Sequence, residues 1–191
     1  MLKKYIKDEI LLNSPIVQKA YNFAFEKHKG QKRFGGEDYI THPLRVAKIV
    51  SEHKKSKNME ALVCASLLHD TLEDTYTSYK ELTDNFGEII ASMVMELTSA
   101  SFVSKLKGKD VYLAHKMSQM SPYALYIKLA DRLDNITDQH GTSKAWQDNY
   151  VEQTKYIIEF LNKKNNLTIP QKVLAQKINV FINDYENQET K

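Results

Sequence analysis

Residues 67–75 read Leu67-Leu68-His69-Asp70-Thr71-Leu72-Glu73-Asp74-Thr75 and directly follow the apolar run Ala61-Leu62-Val63-Cys64-Ala65-Ser66. Two acid-bearing pairs, His69-Asp70 and Glu73-Asp74, repeat at a spacing of four. Residues four apart share a helix face. A helix over 59–70 that runs on through the acids therefore stacks His69 on Glu73 and Asp70 on Asp74. Such a cluster at the end of a buried wall is costly unless something neutralises it, and a metal ion does so.

Outward from this stretch the periodicity is helical. Ser14-Pro15 supplies a cap and a proline at the first helical position. Val17, Ala20, Tyr21, Ala24 and Phe25 then carry a helix to about Lys29. Residues 30–38 form a loop with Gly35-Gly36 at its tip, and Thr41-His42-Pro43 opens a helix through Val46, Ala47, Ile49 and Val50. Ser78-Tyr79-Lys80-Glu81 has the form of a capping box, which predicts a short helix stopping near Gly87. Apolar periodicity over 89–97 follows, and then a polar loop over 98–110. A helix containing Val111, Leu113 and Met117 comes next. Ser121-Pro122 restarts helix through Asp138, with Gly141 as its terminator, and runs over about 143–162 and 169–184 close the chain. Strand alternation, internal repeats and linkers are absent. The expected fold is all-α, a single-domain helical bundle over 1–191.

Composition agrees. The 191 residues are 42% hydrophobic and 27% charged, with only four prolines and six glycines, which favours long helices. A net charge of +3 is too small to imply a nucleic-acid partner. Trp146 and the eleven tyrosines are scattered rather than interleaved with a basic stripe, so no stacking platform is expected. The single cysteine, Cys64, excludes an intramolecular disulfide, fits a reducing compartment and reads as a buried small hydrophobe. Met1-Leu2-Lys3-Lys4-Tyr5-Ile6-Lys7-Asp8 lacks the apolar stretch of a signal peptide, and no apolar run is long enough to span a bilayer. The chain is expected to be cytoplasmic, with no membrane partner and its oligomeric state open. Phosphate loops, dinucleotide fingerprints and nucleophile elbows are absent from the sequence.

Ligand-type residues concentrate in three places: His42 at a helix start, His69-Asp70, and Lys128-Leu129-Ala130-Asp131-Arg132-Leu133-Asp134-Asn135. In the last, Leu129, Leu133 and Ile136 form an apolar stripe and Asp131, Asn135 and Asp138 a polar one. Asp131 should emerge from the core and want a cation; Arg132, the next residue, points roughly 100° away on a helix. Together His42, His69, Asp70 and Asp131 offer two imidazoles and two carboxylates from three helices. That mixture suits a first-row divalent ion, manganese and iron among the candidates, with a bound water activated near neutral pH. Glu73 and Asp74, one turn on, would orient or deprotonate that water. Acids at a helix C-terminus are electrostatically disfavoured, which argues for a functional reason. Lys105, Lys107 and Lys109, in the loop before the next helix, are candidates to meet phosphates on charge and order alone.

The ordered motifs resemble those of the HD superfamily of metal-dependent phosphohydrolases. His28-Lys29-Gly30-Gln31-Lys32-Arg33, Gly36-Glu37-Asp38-Tyr39-Ile40-Thr41-His42-Pro43-Leu44, the 67–75 stretch and Ile127-Lys128-Leu129-Ala130-Asp131-Arg132-Leu133-Asp134-Asn135 are similar to the hydrolase domain of the RelA/SpoT proteins over about 15–160. Phe86-Gly87 and the stretch 94–98 fit as well. The chain resembles a small alarmone hydrolase standing alone, and Trp146 with the following helix is similar to the tail of the animal-type members. The resemblance implies an HD-type bundle and a manganese-dependent cut that removes the 3′-pyrophosphate of ppGpp or pppGpp, giving GDP or GTP. By position it implies His42, His69, Asp70 and Asp131 on the metal and Glu73 and Asp74 serving the water. It also implies Arg33 against the base and Asn135 near the ribose and base, with Asp138 beside the base. Phe34 stands where the family commonly has lysine, Gly35 replaces a small polar residue, and Asp134 and Asp138 replace histidine and threonine of the long members. These departures surround the base, not the metal. ppApp or NADPH as substrate, and a non-catalytic nucleotide sensor, are the alternatives.

Overall fold

The computed structural model describes residues 1–53, 55–99, 108–164 and 166–189. Every regular element among them is α-helical, apart from an isolated antiparallel bridge between Lys32 and Asp38. No helix among the described residues is long and apolar enough to cross a membrane. The chain forms two compact units, Met1–Ser101 and Phe102–Lys191.

The first unit contains α1 (Leu2–Tyr5), α2 (Glu9–Asn13), α3 (Pro15–Lys27), α4 (Thr41–His53), α5 (Met59–Leu68), α6 (Thr71–Asp74), α7 (Tyr79–Phe86) and α8 (Glu88–Leu97). Its centre is α5. Leu62, Val63, Cys64, Ala65, Ser66, Leu67 and Leu68 are all buried, and α3, α4 and α8 pack around them. A helix apolar on every face is stable only when enclosed in this way. The periodicity did not predict α1 and α2, which are too short to show a pattern. They are held by the buried Ile6 and Leu11 and by Asp8, whose carboxylate accepts from the Ile10 and Leu11 amides. Ser14 provides the turn into α3 without a side-chain cap bond, and α3 stops at Lys27, two residues short of expectation. Ser78 caps α7 as expected, accepting from the Glu81 amide at 3.1 Å, while the Glu81 carboxylate pairs instead with Lys27 at 2.8 Å. Gly87, at φ 78°, ends α7 and starts α8, a conformation that costs glycine little.

One helical expectation needs correction at the decisive stretch. The 59–70 helix ends at Leu68; His69 and Asp70 form a break, and α6 is a separate single turn. The carbonyls exposed at the end of α5 are met by side chains, with Thr71 Oγ1 donating to Leu68 O at 2.7 Å and His69 Nδ1 to Ser66 O at 2.8 Å. Both acceptors sit in the core, where an unpaired carbonyl is expensive. Because of the break, Glu73 and Asp74 lie in the first turn of a new helix rather than at the end of a long one. The dipole misfit inferred from the sequence therefore does not arise.

The second unit contains α9 (Lys109–Gln119), α10 (Pro122–Thr137), α11 (Lys144–Lys164) and α12 (Ile169–Glu189). Ser121 caps α10 through the Ala124 amide at 3.3 Å. Ala124, Leu125, Tyr126, Ile127, Leu129 and Ala130 are buried, and α9, α11 and α12 pack against their helix. α10 stops at Thr137, four residues before Gly141, with the Asp138 amide on Asp134 O at 2.9 Å. The last two helices run to 164 and 189, past the expected ends.

Two measurements check this packing. Burial pushes the Cys64 thiol up to about 12, so it should resist thiol reagents at mildly alkaline pH while folded and react fully in guanidinium. Thr71→Val keeps the shape but strips the Leu68 carbonyl of its donor; denaturant unfolding should show a loss of about 1–3 kcal/mol.

Candidate functional site

The bond that closes α5 also sets the chemistry of His69. With its Nδ1 proton on the Ser66 carbonyl, His69 presents the Nε2 lone pair, 3.1 Å from Asp70 Oδ2. Backbone fixation of one ring nitrogen is the usual way a metal-ligating histidine is oriented. His42, in the first turn of α4, brings its Nε2 to 3.6 Å from the same oxygen. The two imidazole rings lie 5.1 Å apart at 66°, each about 1% exposed. Two imidazole nitrogens and a carboxylate oxygen converging at a buried point form a donor set that fits a divalent cation.

Tyr39 backs this wall. Its hydroxyl lies 2.7 Å from Asp70 Oδ2 and 3.1 Å from Asp74 Oδ2. Asp70 and Asp74 thus share a face, as the spacing predicts. His69 and Glu73 do not share one: Glu73 is exposed and its Oε2 accepts from the Ser99 amide, at the end of α8, at 2.8 Å. Burial and the neighbouring Asp70 charge hold the Asp74 carboxyl above its ordinary range, with the Tyr39 hydrogen bond opposing them. Glu73 and Asp74 border an open cleft of about 610 Å³, with Lys27, Gln31, Thr75 and Tyr76 as its other walls.

The sequence reading assigned no role to Tyr39, His28 or Gln31. The Tyr39 ring stacks on His28 at 4.7 Å and 25° and meets His42 edge-on at 6.0 Å. Gln31 Nε2 donates to the Asp74 carbonyl at 2.9 Å, which turns Oε1 toward His28 Nδ1 at 2.7 Å. His28 is buried, and that burial pushes its imidazole below the ordinary range. Helical spacing could not reveal these partners, because they meet only when residues 30–38 fold back. Within that fold-back Lys32 pairs with Asp38 at 2.6 Å. Glu37 accepts from Arg45 at 3.0 Å and Thr41 at 3.1 Å. Arg33 lies over the Tyr39 ring at 5.9 Å.

In the second unit Asp131 is buried, and two residues of its own helix meet its carboxylate. Lys128 Nζ lies 2.8 Å from Oδ2, and Asn135 Nδ2 donates to Oδ1 at 2.6 Å. Lys128 is one turn before Asp131 on the same face, a partner that the sequence reading passed over. Arg132 indeed points elsewhere: its guanidinium donates to Thr154 Oγ1 at 2.8 Å and Gln153 Oε1 at 3.3 Å and sits 4.9 Å from the Tyr150 ring centre. Asp138 is half-buried just past α10. Lys105 and Lys107 lie outside the described residues, and Lys109 is the first residue of α9.

Comparison with known proteins places relatives beside the chain. The chain is 37% identical over 144 residues to the guanosine-3′,5′-bis(diphosphate) 3′-pyrophosphohydrolase MESH1 of Xenopus tropicalis, covering 74% of this chain and 79% of that protein. It is 42% identical over 123 residues to the guanosine-3′,5′-bis(diphosphate) 3′-pyrophosphohydrolase of Aquifex aeolicus, which is 63% of this chain but only 17% of that relative. A solved structure described as a metazoan ortholog of SpoT that hydrolyses ppGpp superposes with a TM-score of 0.73 at 25% identity, over 86% of this chain and 94% of that one. The profile of the HD domain matches residues 20–165, and the chain belongs to the HD domain family.

Proposed function

We propose that this chain is a manganese-dependent 3′-pyrophosphohydrolase of ppGpp and pppGpp, acting on the free nucleotide in the cytoplasm. The observation that carries the reading is the wall of His42, His69 and Asp70 at the end of α5, in a chain related to proteins named for this reaction. Asp131 supplies the fourth ligand. Supporting this, it is a buried carboxylate, and the family profile spans both units. The bound divalent ion supplies Lewis acidity to the phosphate and the attacking water.

The protein's own groups do the rest. Hydrolysis adds water across the bond between the 3′-oxygen and phosphorus, the hydroxyl going to phosphorus and a proton to the 3′-oxygen. Asp74 and Glu73 orient the water and take its proton. Burial and the Asp70 charge hold the Asp74 carboxyl above its ordinary range, the direction that suits an acid–base group. Arg33 offers a guanidinium plane to the base, Asn135 an amide to the ribose and base, and Asp138 an acceptor beside the base. Lys105 meets the phosphates. A second reading keeps the metal and exchanges the substrate for ppApp or NADPH. It is favoured by Phe34, which is 66% exposed at the hairpin tip where the family commonly carries lysine.

Incubation with ppGpp and manganese should release GDP and pyrophosphate. No product at micromolar enzyme, with ppApp and NADPH also untouched, would leave a sensor. Side-by-side kcat/KM values should favour ppGpp; a faster rate on ppApp or NADPH selects the second reading. His69→Ala and Asp131→Ala should each abolish manganese binding in calorimetry together with turnover. Glu73→Ala should keep the metal and lose about 100-fold or more in kcat, whereas full activity removes Glu73 from the mechanism.

A further inference from the structure

We propose that Tyr39 is a positioning residue for this hydrolysis, its hydroxyl setting Asp74 against Asp70 while His28 and Gln31 hold both in place; the inference rests on the hydrolase reading above.

Asp74 closes α6, a helix of four residues, too short to hold a side chain by its own hydrogen bonds. It is instead gripped from outside at two points. Gln31 Nε2 holds its carbonyl at 2.9 Å and Tyr39 its carboxylate at 3.1 Å. The same hydroxyl reaches Asp70 Oδ2, the oxygen that faces both imidazoles, at 2.7 Å. A phenol has a single proton, so the two acids share one donor and their separation follows from where that oxygen sits.

The oxygen has little freedom. The ring is stacked on the buried His28 and touched edge-on by His42. His28 is itself pinned, since Gln31 Oε1 accepts its Nδ1 proton at 2.7 Å. Both grips on Asp74 therefore return to one imidazole, through its ring face and through its Nδ1. A group that merely filled space would need the ring alone. The hydroxyl is what links a metal-facing carboxylate to the acid that handles water, and outer partners of this kind tune metal affinity as well as rate.

Tyr39→Phe separates ring from hydroxyl. Metal-free, it should melt within about 4 °C of wild type, the shift of one lost hydrogen bond. Calorimetry should show manganese affinity weakened about tenfold. At saturating manganese, kcat on ppGpp should fall about tenfold with KM unchanged. Gln31→Leu, which leaves Asp70 and the Tyr39 ring alone, should lower kcat several-fold with manganese affinity intact, and it decides the matter if the Tyr39 variant does not fold. Wild-type kcat and manganese affinity in a folded Tyr39→Phe overturn the proposal, as does wild-type kcat in Gln31→Leu. A wild-type protein inert toward ppGpp instead overturns the hydrolase reading, and manganese affinity then judges Tyr39 by itself.

Discussion

A helix enclosed on every side by apolar neighbours must end without leaving its last carbonyls bare, and α5 does so with Thr71 and His69. The second of these bonds has two effects. It satisfies Ser66 O inside the core, and it commits the His69 proton to Nδ1, so that Nε2 faces Asp70. The tautomer of His69 is thus fixed by a folding requirement. Moving the helix end by one residue would change both.

Asp70 and Asp131 meet different partners. Asp70 has imidazoles and a phenol around it; Asp131 has Lys128 and Asn135 on its own helix. Arg132 is spent on α11, where Thr154, Gln153 and Tyr150 surround its guanidinium. Neighbours in sequence, Asp131 and Arg132 belong to different faces and different work, as the 100° step of a helix demands.

Much of this was legible in the residues. Apolar spacing located the long helices, Ser78, Gly87 and Ser121-Pro122 marked their ends, and the apolar run of 61–66 marked a buried wall. The break at His69-Asp70 was not legible, because residues four apart look alike whether one helix or two carries them. Lys128 was visible only as an exception in an apolar run, so its bond to Asp131 went unread. Tyr39 and His28 escaped for a deeper reason. Their contact depends on how 30–38 folds back, and that path is closed by backbone bonds across the loop, such as Tyr39 N–H to Gln31 O at 3.0 Å, rather than by any period. Motif resemblance carried those residues along without saying what each touches.

The fold-back has a consequence for how such a chain can change. Its two sides are fastened at the base, by the Lys32–Asp38 pair and by Glu37 on Arg45 and Thr41, while Phe34, Gly35 and Gly36 stand exposed at the tip. Substitutions at the tip need not disturb Tyr39, which belongs to the fastened side. The tip can therefore vary in sequence while the base of the fold-back, and the two carboxylates that Tyr39 joins, keep their geometry.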